Sequence, residues 1–175
     1  MSQIKTEAIV IKSINWSDTS KIVSLYTREN GRVDAIAKGA RRKNHQYGNF
    51  LESLNHLETI IYISEKRELQ NLGNTSLINS FFKIRRDLDK TAIGLAILEL
   101  IDSFFQQGEN DPVFFDFLLS QISALDKTSQ PQVIFWYFIL KLASYLGFKP
   151  HFDQCKICGK IKKEDCFFQF STGSI

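Results

Sequence analysis

The chain has 175 residues, a formal net charge of +3 and an ordinary hydrophobic fraction of 43%. That length can bury a real core, as one domain or two small ones, and the mild charge excludes a polycation that would hold nucleic acid by bulk charge alone. The start, Met1-Ser2-Gln3-Ile4-Lys5, lacks the apolar stretch of a secretory signal, and the longest apolar run, residues 133–140, is far too short to span a bilayer.

The three cysteines all lie after residue 150, two of them as a C-x-x-C pair, which is not the pattern of a secreted disulfide framework. The expectation is a soluble cytoplasmic protein that inserts in no membrane. Charge is uneven along it. Residues 1–80 carry eleven Lys/Arg against eight Asp/Glu, whereas residues 81–150 carry seven against eight, so any basic surface belongs to the first half.

The first seventy residues read as strands. Residues 7–14 are rich in β-branched side chains, and residues 21–27 form a second such run. Glu29-Asn30-Gly31-Arg32 is a hairpin signal, because Asn-Gly accepts the positive φ of a tight turn. Residues 33–38 follow as a third strand, with Ala35 and Ala37 on one face and Asp34, Ile36 and Lys38 on the other. Residues 57–63 read as a fourth strand and 67–72 as a short fifth. Five short antiparallel strands must hide their edges, and a small closed barrel, commonly of the OB type, does so.

After Gly73 the period changes. Asn74-Thr75-Ser76 offers helix caps, and Leu77, Ile78, Phe81, Phe82 and Ile84 recur at helical spacing. Residues 91–107 predict a second helix with Ile93, Ile97, Leu100, Ile101, Phe104 and Phe105 on a broad apolar face. Asp111-Pro112 opens a third as N-cap and first helical position, and a fourth spans residues 131–145 with Gly147 as its cap. The fold class is therefore α+β: a barrel over residues 1–75, an all-α bundle over 76–150, and a cysteine module over 151–175. The many bundle aromatics read mainly as core.

The most informative stretch is Val33-Asp34-Ala35-Ile36-Ala37-Lys38-Gly39-Ala40-Arg41-Arg42-Lys43. It starts as an alternating strand, turns at Gly39, and packs Lys38, Arg41, Arg42 and Lys43 into six positions, with His45 just beyond and Arg32 before. Cations this close repel one another unless an anion lies over them, and a phosphate backbone is the commonest such anion. The bland alternative is a solvated loop. Tyr26, Tyr47 and Phe50 are the nearest aromatics available to stack on bases, though each also reads as a barrel residue.

Cys155-Lys156-Ile157-Cys158-Gly159 is half of a zinc knuckle, its cysteines spaced to share one tetrahedral ion. A thioredoxin-like redox pair needs a strand before it and a helix after, and neither is signalled here. The ligand set is short, since Cys166 and His151 stand at non-standard spacings. A second C-x-x-C pair beyond residue 175 would complete it, so the chain reads as a fragment. Zinc occupancy is expected to be weak or partial.

Together, Ala37-Lys38-Gly39-Ala40-Arg41-Arg42, the strand ending at Tyr26-Thr27 before Gly31, and Leu146-Gly147-Phe148-Lys149-Pro150 leading into Cys155 and Cys158 resemble the RecO family of bacterial DNA repair proteins. The resemblance runs from Thr6 to Ile175. It implies an N-terminal OB-fold, a helical domain with a zinc module, and binding of single- and double-stranded DNA. It further implies strand annealing, help in loading recombinase, and two partners, RecR and the tail of single-strand-binding protein. Lys141 or Arg86 beside Phe104, Phe105, Phe114, Phe115, Trp136 and Tyr137 would receive that tail's carboxylate. The second cysteine pair of the family is absent. Nothing in the setting of His45, His56 or His151 identifies catalysis, and Asp87 and Asp89 read as helix-end charges. The competing function is a protein-binding adaptor that uses the bundle without touching DNA.

Overall fold

In the computed structural model, residues 2–43, 48–109 and 111–152 are described, together with Gly159, Phe168, Gln169, Ser171 and Gly173. The fold is mixed α+β. Five strands, β1 (Ser2–Trp16), β2 (Ser20–Thr27), β3 (Gly31–Ala37), β4 (His56–Ile63) and β5 (Gln70–Asn79), close into a barrel in the order β1-β2-β3-β5-β4. The pairings are antiparallel except β3 with β5, and β1 is long enough to pair with both β2 and β4. Four helices follow: α1 (Phe82–Arg85), α2 (Leu88–Phe104), α3 (Pro112–Lys127) and α4 (Pro131–Tyr145). Residues 1–131 form one compact unit and residues 132–175 a second.

Alternation decides the barrel interior. Ala8 and Val10 of β1, Val23 and Leu25 of β2, and Val33, Ala35 and Ala37 of β3 pack with Leu57, Ile61 and Leu72 into one buried cluster. Leu51, just after a single 3-10 turn at Gly48–Phe50, joins them. At the β2–β3 turn only Gly31 takes positive φ, at 60°. The turn is tied by the Asn30 amide, which donates to Thr27 Oγ1 at 3.1 Å.

One expectation is corrected here. Asn74-Thr75-Ser76 caps no helix, because β5 runs through to Asn79. Thr75 lies opposite Thr59 and Ser76 opposite Glu58, and the two threonine hydroxyls are 2.7 Å apart. A ladder to a distant strand outweighs the local capping signal, which is worth about 1 kcal/mol. The helices themselves follow the local rules. The Asp87 carboxylate accepts from the Lys90 amide at 3.1 Å, and Asp111 accepts from Phe114 at 2.9 Å. Gly147, at φ 87°, ends α4.

The outer face of the barrel is split. His56, Ile9 and Tyr26 stand in one row across β4, β1 and β2. Phe115 of α3 covers that row, stacked on the Tyr26 ring at 6.1 Å and tilted against the His56 ring at 6.2 Å. Tyr26 also meets Phe105 and Phe114 edge-on at 5.2 and 6.3 Å, and is fully buried. Tyr26 is therefore core and cannot stack on a base. Phe105, Phe114 and Phe115 are core as expected, whereas Phe104, Trp136 and Tyr137 are exposed.

Beside this row, Arg28 bridges Asp116 at 2.6 Å and Glu7 at 3.2 Å and lies 4.8 Å over the Phe115 ring. Glu7 also meets His56 Nε2 at 2.9 Å. Burial pulls the His56 imidazolium below its ordinary pKa of 6.5. Attraction to Glu7 opposes this without cancelling it, and Arg28 adds to the lowering. Between the folded value and 6.5 the unfolded chain binds the extra proton, so the stability held by neutral His56 is complete above 6.5 and is lost as pH falls below it. Urea unfolding from pH 7.5 down to 5.5 is expected to show this decline, with a slope of at most about 1.4 kcal/mol per pH unit. His56→Gln is expected to remove that component of the slope.

Candidate nucleic-acid interface

The basic run leaves the barrel at the end of β3. Ala37 is fully buried, and Lys38 is the first exposed residue after it. Gly39, at φ 74°, turns the chain into the left-handed region that a side-chain-bearing residue enters only at a cost of roughly 1–2 kcal/mol. The turn closes as the Arg42 amide donates to the Gly39 carbonyl at 2.9 Å. Ala40 points back into the core while Arg41, Arg42 and Lys43 stand exposed. The run is thus one buried alanine flanked by four solvent-facing cations.

The loop is anchored at both ends. The Arg41 amide donates to the Thr19 carbonyl at 3.0 Å, and its guanidinium donates to the Ser17 carbonyl at 2.6 Å. Both acceptors lie in the β1–β2 connection, where Ser17 itself takes positive φ. On the other side Gly48 lies so close that a Cβ there would sit 1.9 Å from the Ala40 carbonyl oxygen. Lys21 reaches from β2 to the Gly48 carbonyl and to Glu52, at 3.4 and 3.0 Å.

Among the described residues, Lys38, Arg41, Arg42 and Lys43 make no ion pair with a carboxylate. Arg32 is held apart from them: its guanidinium pairs with Asp102 of α2 at 2.8 Å and with Asp34 at 3.5 Å, and its side chain is mostly buried. Its charge is spent on joining the barrel to α2. His45 and Tyr47 lie outside the described residues, and Phe50 packs partly buried against the barrel core.

Sequence reasoning missed Trp16. It is 53% exposed at the end of β1, one residue before the carbonyl that holds Arg41. The signal that points to it is the outward parity of Lys12, Ile14 and Trp16 on an alternating strand. The cysteine module, Cys155 and Cys158 with Cys166, also lies outside the described residues. Among the described residues no group of His, Cys, Asp or Glu is arranged to hold a metal ion. Gly159, directly after the pair, has φ 69°. No helix among the described residues is long and apolar enough to cross a membrane.

Residues 1–81 match the family described as Recombination protein O N terminal, and residues 85–174 match Recombination protein O C terminal. The chain is 30% identical over 175 residues to the DNA repair protein RecO of Caldicellulosiruptor saccharolyticus, covering 100% of this chain and 71% of that one. It is 32% identical to the RecO of Caldanaerobacter subterraneus subsp. tengcongensis, over 99% of this chain and 69% of the relative. Against the RecO of Salinibacter ruber it is 31% identical over 89% of its length, and spans 60% of that protein.

The seat of the basic loop can be tested directly. Gly48→Ala places a methyl group against the Ala40 carbonyl and is expected to cost about 1–3 kcal/mol in urea unfolding. A loss under about 0.5 kcal/mol would mean that the loop is free to move off its seat.

Proposed function

This chain belongs to the RecO family, and from that premise we propose that it is a recombination mediator in DNA repair that binds single- and double-stranded DNA through residues 38–43. In this reading it anneals complementary strands and assists recombinase loading, acting by binding rather than catalysis, in the cytoplasm on nucleoid DNA. The observation that carries the DNA-binding part is the exposed set Lys38, Arg41, Arg42 and Lys43, which has no carboxylate partner among the described residues. Phosphates would neutralise that set without reading base sequence, releasing counterions as they do. His45 follows the loop and belongs to the proposed contact set; Arg32, already paired, does not.

We infer that the barrel is of the OB type. Its closed five-stranded order with a parallel β3–β5 pair supports this. The proposed partners are RecR and single-strand-binding protein. The exposed residues Val133, Trp136, Tyr137 and Leu140 on α4 support an apolar seat for the latter's tail. Lys141, whose ammonium lies 5.6 Å over the Tyr137 ring, would receive that tail's carboxylate.

Zinc remains part of the proposal, held by Cys155 and Cys158. The pair's spacing and the left-handed turn at Gly159 favour it, and bound zinc would brace the local fold rather than take part in a reaction.

Arg41→Ala with Arg42→Ala is expected to weaken binding to every DNA sequence alike. It should flatten the plot of log affinity against log salt by about 0.7 per lost contact on single strands and about 0.9 on duplex. Unchanged affinity and slope in a mobility-shift or anisotropy titration would remove this loop from the mechanism. For the metal, elemental analysis of the purified chain is expected to find substoichiometric zinc that Cys155→Ser abolishes. A pair that instead cycles as a reversible disulfide would replace the zinc reading with a redox one.

A further inference from the structure

We infer that Trp16 is a base-stacking platform that gives this site its preference for unpaired strands; the inference rests on residues 38–43 binding phosphate, as proposed above. Large aromatic side chains on a barrel are normally covered, as Tyr26 is, ten residues later in the chain. Trp16 is not: it stands 53% exposed at the tip of the longest strand. The backbone holds it beside the cations. Arg41 donates to the carbonyls of Ser17 and Thr19, the first and third residues after Trp16, so the basic loop is tied to the Trp16 hairpin. The register agrees: Trp16 lies opposite Ser20, and Lys21 lies opposite Ala37, which sets Lys38 at the same end of the sheet.

The surface next to Trp16 continues the platform. Ile14, Ile22 and Ile36 stand directly opposite one another across β1, β2 and β3, none of them fully buried. This is the half of the outer face that Phe115 and its neighbours leave uncovered. Ile14 and Ile22 also wall a cavity of about 310 Å³, with Lys12 at its side and Asp34, Glu68 and Asp102 at its far wall, where Arg32 pairs with Asp34 and Asp102. A ring, a row of apolar side chains and a rim of cations match an unstacked nucleotide: π face on indole, sugar and base edge over isoleucine, phosphate on Lys38 and Arg42. Duplex DNA engages the rim alone, since its bases show their faces only to each other.

The chain has two tryptophans, and Trp136→Phe leaves Trp16 as the sole indole reporter. Titrating this single-tryptophan protein with an oligothymidylate should quench its emission saturably, while a blunt duplex carrying the same number of phosphates should bind with little quenching. In the parent background, Trp16→Ala is expected to lower single-strand affinity roughly 5- to 100-fold. Duplex affinity should stay within about twofold and the salt slope should not change, and Trp16→Phe should recover part of the loss.

If single strands bind without changing Trp16 emission, or if Trp16→Ala weakens both forms of DNA equally, the stacking inference is overturned while the phosphate-binding loop stands. If the parent protein binds neither form, the loop's role and the stacking role fall together.

Discussion

The placement of Phe115 governs the rest of the first unit. Its ring covers the outward row of His56, Ile9 and Tyr26, and Arg28 lies over the same ring while pairing with Glu7 and Asp116. A barrel this small has too little interior to hold many large side chains, so the helices supply a second core on its outer surface. Rings packed at these distances add about 0.5–1.5 kcal/mol per pair beyond the apolar area they bury. The same contact decides what stays open. With the row of His56, Ile9 and Tyr26 closed by α3 and its neighbours, the ends of β1, β2 and β3 near Trp16 and Lys38 stay open to solvent.

Three fates of arginine show how charge is allotted. Arg28 is drawn into the aromatic seam; burial works against its charge, but Glu7 and Asp116 outweigh that and hold its pKa above the usual value. Arg32 fastens β3 to α2 through Asp102. Arg41 uses one nitrogen to fix the loop to the β1–β2 connection and stays exposed. Arg28 and Arg32 carry architecture because an acidic side chain from a helix meets each of them. In residues 38–43 no such carboxylate arrives from the described chain, and the repulsion among the cations remains for an incoming anion to relieve.

Part of this was legible in the chain alone. The first four strands, the Gly31 turn, Asp111-Pro112 as a helix start and Gly147 as a helix stop are all local rules expressed in local residues, and the structure follows each of them, whereas the fifth strand, expected at residues 67–72, runs from Gln70 to Asn79. The basic cluster was equally plain, because four cations within six positions need no partner to be recognised. Asn74-Thr75-Ser76 misled for the opposite reason. Their fate depended on Glu58 and Thr59, some sixteen residues away, and no local signal carries that pairing.

The sequence by itself therefore determined most of the element types, the alternating parity of β3 and the position of the charge, since each is set by neighbours within a few residues, and its motifs taken together carried the family. Only tertiary structure decided which charges and rings were left over. Tyr26 and Trp16 are both strand aromatics in the same hairpin, yet one is sealed beneath Phe115 and the other stands in solvent beside Arg41. Arg32 and Arg41 differ in the same way, through an aspartate that arrives from a helix seventy residues later. Burial and pairing are properties of what packs against a side chain from afar, and a strand's own pattern does not specify them.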